Sequence, residues 1–298
     1  MTRTTPPPSH DVAAAFPELA ARARRTVRLH PRLGPEPPFD TTKLGGRIGW
    51  PREAPWPRCT LAHDAYDAAA AYAHVVSPPD ERPLVAVLQI RRDDVPEVEF
   101  AAGSDVLQLL WCPSSHPDLY APAVTVKWWS SVELAPVEPP PPAPSTDGAN
   151  YVPRPCLVHP ERVVEFPDVG DVSADLSSRM QVWERELDDL EHPAYQYLLS
   201  TAPGSKVGGY PHWHQDPEWQ TCKAGHEMDH LLTVSDTEFD GGTWPRWLAV
   251  EDAGVWDGPV QTRFDVQGAI GIELAMGSIY VFICRACADW PVAQVYQR

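Results

Sequence analysis

Short apolar runs of strand length recur along this chain. Residues 84–90 (LVAVLQI), 105–112 (DVLQLLWC) and 124–129 (VTVKWW) are followed in the C-terminal half by 230–235 (HLLTVS) and 277–284 (GSIYVFIC). Runs of this length, rich in β-branched and aromatic residues, predict buried strands. A different period governs Asp175 to Leu190. There Leu176, Met180, Trp183, Leu187 and Leu190 recur at steps of four and three, ahead of Pro193. That spacing predicts an amphipathic helix over 175–190 whose apolar stripe packs on the core. A second helix is predicted from Pro17 to about Leu29, with Pro17 in its first turn and Leu19, Ala20, Ala23 and Val27 on one side. Pro31, Pro35, Pro37 and Pro38 stop it.

Residues 1–10 are polar and proline-bearing and read as a mobile tail. From Pro136 to Pro155 the chain reads as a polyproline-like or coil connector. The predicted organisation is therefore a tail and helix (1–40), a first half (41–135), a linker (136–155), and a second half (156–298) braced by the helix at 175–190. The expected fold class is α+β, mainly antiparallel β.

The two halves read as copies. KLGGRIGWPREAPWPRCTLAH (43–63) and KVGGYPHWHQDPEWQTCKAGH (206–226) align without gaps. Lys43, Gly45, Gly46, Trp50, Trp56, Cys59 and His63 match Lys206, Gly208, Gly209, Trp213, Trp219, Cys222 and His226. Trp and Cys are rare, so chance is a poor explanation. Further on, Gly103-Ser104 leads through a strand to Cys112, and Gly277-Ser278 leads through a strand to Cys284. The reading is an internal duplication with two pseudo-symmetric β-rich halves.

The duplication sorts the cysteines and histidines into two sets. One is Cys59-x3-His63 with Cys112-x3-His116, and the other is Cys222-x3-His226 with Cys284-x2-Cys287. Each set offers four soft or borderline ligands as two close pairs, the donor arithmetic of a closed structural zinc site. The alternative is that these are buried packing residues of the repeat, since free cysteine behaves as a small hydrophobe. His116, among Ser, Pro and Asp, reads as a loop residue. Cys156 belongs to neither set.

His212, His214 and Asp216 have the H-x-H-x-D look of a metal-dependent hydrolase, against a surface loop. Asp236, Glu238 and Asp240 mimic the start of a calcium loop, but Trp247 stands where the closing carboxylate belongs. The 12 tryptophans suggest either a carbohydrate-stacking surface or structural pegs, and the repeat-matched Trp50, Trp56, Trp213 and Trp219 favour pegs. The paired glycines after Lys43 and Lys206 suit tight turns rather than a phosphate loop. No G-x-S-x-G nucleophile motif is present.

Composition narrows the function classes. The 35 prolines are incompatible with a long-helix protein. A net charge of −17 with only 24 Lys and Arg argues against nucleic acid and anionic membranes, and favours a basic protein partner. The N-terminus lacks a signal-peptide core and no apolar run could span a membrane, so the chain reads as cytoplasmic.

The run K-V-G-G-Y-P-x-W at 206–213, then Cys222, the strand at 231–234 and G-S-I-Y-V-F-I-C at 277–284 resemble the YwqG-like family of bacterial proteins. More distantly, the pattern is similar to the programmed cell death protein 2 family. The resemblance covers roughly 40–135 and 195–298. It implies a duplicated, mainly antiparallel β fold and no established reaction. The eukaryotic relatives imply protein binding, including escort of a basic ribosomal protein. His226 departs from that pattern: relatives often carry a C-x-x-C-like turn there. The expected function is a non-enzymatic adaptor, or an immunity-like protein, with the hydrolase and the sugar-binding module as alternatives.

Overall fold

The structure is a computed structural model that describes residues 2–67, 73–187 and 194–298. Its first strands are β1 (Arg24–Arg28), β2 (Arg32–Leu33), β3 (Lys43–Leu44) and β4 (Gly49–Pro51). A hairpin, β5 (His63–Asp67) and β6 (Ala73–Ser77), precedes the long strands β7 (Val85–Arg91), β8 (Val106–His116) and β9 (Ala121–Trp129). After β10 (Leu134–Pro136) and the connector come β11 (Cys156–Leu157), β12 (Glu161–Glu165), β13 (Lys206–Gly208), β14 (Asp229–Ser235), β15 (Ser278–Ile283) and β16 (Val292–Gln297). Two six-stranded antiparallel sheets result, ordered β2-β11-β3-β7-β8-β9 and β12-β1-β13-β14-β15-β16. With its few short helices the protein is α+β and mainly antiparallel. Among the described residues no helix is long and apolar enough to cross a membrane.

The sheets share one order of parts: a lysine-bearing short strand, an apolar strand, a strand that carries a cysteine (Cys112 in β8) or leads directly into one (Cys284 after β15), and an edge strand. They are joined by a ribbon. Arg28 faces Glu161 and Leu33 faces Cys156, so 24–33 and 156–165 run as one antiparallel pair that enters both sheets. The N-terminal β1 is thereby inserted beside β13, while β11 from beyond the linker sits beside β3. The sequence division at 40 and 155 does not follow the sheets.

The apolar runs of β7, β8, β14 and β15 are largely buried on both faces, as fully covered strands must be, whereas β9 is half-buried beyond Pro122. From β15, Ile279, Val281 and Ile283 enter the central core shared with Leu107, Leu109 and Trp111 of β8. The alternate residues Tyr280 and Phe282 pack instead with Trp213 and Cys284. In β8, Leu110 and Cys112 likewise turn towards Trp50 and Trp56. The outer face of each sheet thus delivers its cysteine to a tryptophan-walled cluster.

Two expectations change here. The helix expected from Pro17 to Leu29 stops at Ala20, and Arg24–Arg28 is a strand. Pairing with β12 and β13 on both sides, plus the Thr26 hydroxyl donating to the Val207 carbonyl, outweighs local helix propensity. The expected mobile tail is docked: Thr5 is buried, its backbone N–H donates to Glu161 at 2.6 Å, and Arg3 pairs with Asp252. The helix expected at 175–190 forms as Ala174–Glu186, capped by Ser173. Its proposed end at Leu190 lies outside the described residues.

The lysines of the repeat are both buried, and their glycine pairs have positive φ. Lys206 Nζ meets Glu165 at 2.6 Å with both side chains inaccessible. Glu165 also accepts from the Ala202 and Tyr210 N–H groups, each at 2.8 Å. A Cβ on Gly209 would collide with that carboxylate, so glycine is required there. In the first half Glu36 accepts from Arg47 N–H at 2.8 Å, at the position matching Tyr210. Lys43 is instead surrounded by the carbonyls of Pro37, Pro38 and Arg47. Burial pushes its ammonium down to about 8.

Two buried histidines give the fold a pH dependence. His230 bonds Gly208 O and Thr233 Oγ1, and burial, followed by the nearby Lys206, pushes it down to about 3. His30 lies 2.8 Å from Glu161 and is pushed down to about 4 by burial and then Arg28. Their folded-state values lie below the unfolded one. Their stabilising contribution is therefore complete above about pH 6.5 and is lost as pH falls towards 4, on the order of 3 kcal/mol each. Denaturation midpoints should fall over that interval, and His230→Gln should flatten the slope. A slope unchanged by the substitution contradicts this assignment.

Candidate metal centres

Each half gathers its four donors from two separated segments. In the first, Cys59 and His63 flank the bend leading into β5, and Cys112 and His116 lie on β8. Four residues of regular strand would hold that last pair about 13 Å apart. The β8–β9 pairing is irregular between Trp111 and Ser115, which lets both reach one point. His116 is thus a buried strand residue, not the loop residue expected. In the second half, Cys222 and His226 close a tight turn. Cys222 N–H donates to His226 O at 2.9 Å and Gly225 N–H to Cys222 O at 2.8 Å. Gly225 supplies the left-handed φ of 84° that the turn needs. Cys284 and Cys287 follow β15 in a second turn, where Trp290 N–H donates to Cys287 O.

In both sets the four candidate ligand atoms lie within 4.8 Å of one another. Among the described residues these are the only groups of three or more His, Cys, Asp or Glu so arranged. In the second set His226 Nδ1 lies 3.5, 3.7 and 3.4 Å from the sulfurs of Cys222, Cys284 and Cys287, and the Cys222 and Cys287 sulfurs are 3.8 Å apart. A tetrahedral zinc with sulfur at about 2.3 Å and nitrogen at about 2.0–2.1 Å has edges of about 3.5 Å (N···S) and about 3.8 Å (S···S). The observed edges match that cage. In the first set Cys112 Sγ lies 3.3 Å from His63 Nε2, and Cys59 Sγ lies 3.8 Å from His116 Nε2.

The surroundings also suit a cation. His116 Nδ1 is 2.7 Å from Ala62 O, and His63 Nδ1 points to the Asp80 carboxylate at 3.5 Å. The Ala62 carbonyl thereby fixes which His116 nitrogen faces inward, the arrangement that orients metal-ligating histidines, whereas His63 Nδ1 has Asp80 nearby as a charge but makes no hydrogen bond among the described residues. Sequence reasoning missed both groups, because Asp80 lies outside the repeat and Ala62, within it, acts only through its backbone carbonyl. The Cys59 thiol is pulled well below its ordinary value by the Cys112 sulfur, and then by His116, while the same contact pushes Cys112 up. Burial opposes ionisation of Cys222, but backbone N–H groups of His226 and Ala224 bring it down to about 6. Closely spaced thiols compete for protons in this way, and a divalent cation would hold them all as thiolates.

The other sequence candidates do not converge. His212 Nδ1 bonds Thr201 Oγ1 at 2.9 Å, His214 Nε2 bonds Ser278 Oγ at 3.0 Å, and their ring centres are 6.0 Å apart. Asp216 is exposed and joins neither ring in a donor cluster. Asp236 accepts from Leu274 and Met276 N–H, Glu238 from Ser205 N–H, and Asp240 caps Gly242 and Thr243, so the calcium-loop carboxylates face three different places. Trp50 and Trp213 are buried and present no stacking face; only Trp219 of the four is exposed. Cys156 is buried in the central core. No protein-family model and no curated protein matches the chain.

Proposed function

We propose that this chain is a non-enzymatic, protein-binding scaffold of the YwqG-like type, descended from a doubled module, in which each half is cross-linked by one structural zinc ion. The observation that carries the reading is the cage of donor edges around His226 Nδ1. Four protein donors close a tetrahedron and leave no position for an activated water, which favours a structural over a hydrolytic role. Support for the doubling comes from the shared strand order, the matched buried lysines and the Glu36–Arg47 and Glu165–Tyr210 bonds.

The net charge of −17 supports a basic protein as partner. Affinity capture from the native cell extract at low and high salt tests this. The expected result is one basic protein retained stoichiometrically at low salt and lost at high salt. Retention of no basic protein, or turnover of a substrate by the zinc-loaded chain, would overturn the adaptor reading.

A further inference from the structure

The two centres differ in one respect that bears on chemistry. In the first, Cys59, His63, Cys112 and His116 are all buried. In the second, only Cys284 is fully enclosed, Cys222 and Cys287 are half-buried, and His226 is exposed. The second also has three sulfurs, and its two accessible ones lie on separate surface turns 3.8 Å apart. From these facts, and resting on the zinc reading above, we propose that Cys222 and Cys287 form an oxidation site at which a peroxide expels the second zinc ion by joining the two sulfurs.

The step balances. A Cys222 or Cys287 thiolate attacks one peroxide oxygen, the O–O bond breaks, and a sulfenic acid and hydroxide result. The other thiolate then attacks that sulfur, the S–S bond forms, and a second hydroxide leaves. The two sulfurs supply the two electrons that the O–O bond takes up, and zinc departs unchanged as the divalent ion. The sulfurs need to close from 3.8 Å to about 2.05 Å. The turns carrying them are not paired to each other, so this movement leaves β14 and β15 in register. Cys284 and His226 remain as two donors, too few to hold the metal. In the first centre burial denies peroxide access to either sulfur.

The consequence is local and readable. The segments entering and leaving the Cys222 turn supply Trp219, Gln220, Thr221, Glu227 and Met228 to a surface cavity of about 590 Å³. Arg24 lies over the Tyr210 ring at its other wall, at 4.2 Å. Loss of the metal frees one wall of that cavity.

The test uses the full chain with its zinc content measured beforehand, treated with hydrogen peroxide in the presence of a zinc indicator. The expected result is release of one zinc ion of two, a Cys222–Cys287 disulfide by peptide mapping, and intact Cys59 and Cys112. A dithiol reductant with added zinc restores the starting stoichiometry. Cys287→His copies the Cys2His2 donor set of the first half, so it should keep both zinc ions. Its peroxide-driven release should slow by about tenfold or more, because the condensing thiol is gone. Release of both ions together, release of neither, or a disulfide through Cys284 or Cys156 overturns the inference and leaves the zinc reading standing. A chain that holds no zinc before peroxide is added overturns the zinc reading itself, and the switch with it.

Discussion

Cys112→Ser is expected to destabilise the protein by several kcal/mol, enough to unfold the first half at ordinary temperature. Its sulfur lies in an inaccessible pocket with His63 Nε2 at 3.3 Å and Leu110, Trp50 and Trp56 around it. If the four donors hold zinc, the substitution removes the metal and strands His63, His116 and Cys59 in an apolar shell. Structural zinc contributes folding free energy directly, on the order of 10 kcal/mol in small zinc domains, so even partial loss exceeds a packing defect. Were the thiol only a packing residue, the cost would be about 1–2 kcal/mol. Cys156→Ser is the control, since that thiol is equally buried in the central core but belongs to neither donor cluster. Denaturant midpoints with and without a strong chelator separate the cases. The wild-type chain should lose stability on chelation, Cys156→Ser should lose it in parallel, and Cys112→Ser should be insensitive. A Cys112→Ser midpoint that matches that of Cys156→Ser contradicts the assignment.

Lys206→Met carries the second large effect. Among the described residues the lysine is the only cation in ion-pair contact with Glu165, and neither side chain reaches solvent. Removing one partner of a buried pair leaves an uncompensated charge and costs about 3–5 kcal/mol. Lys43→Met removes an ammonium that hydrogen-bonds carbonyls and leaves no buried carboxylate unpaired, so about 1–3 kcal/mol is expected from the unpaired acceptors. Chemical denaturation of the two variants should show the larger loss at 206. A double variant with Glu165→Leu should recover part of it. Equal losses at 43 and 206 would show that the carboxylate is not held charged by Lys206.

β7, β8, β14 and β15 were legible because they are largely buried on both faces, and the half-buried β9 because its run is rich in β-branched and aromatic residues; all five fall on predicted segments. The α+β class followed from them, as did both donor sets, because cysteine and tryptophan are rare enough for a repeat to stand out. What could not be read depends on partners distant in sequence. Arg24–Arg28 is a strand only because β12 and β13 flank it, and taken alone its residues fit a helix. Glu165 is an ordinary carboxylate in the sequence until Gly209 leaves room for it beside Lys206. The Ala62 backbone carbonyl orients His116, and Asp80, outside the repeat, lies 3.5 Å from His63. His116 looked like a loop residue because its neighbours are polar, whereas the irregular β8–β9 register buries it.

The metal-to-protein ratio of the chain, purified gently without added metal or chelator, tests the account at its centre. Two zinc ions per chain, one for each donor cluster, is the predicted result. A folded chain containing none contradicts it.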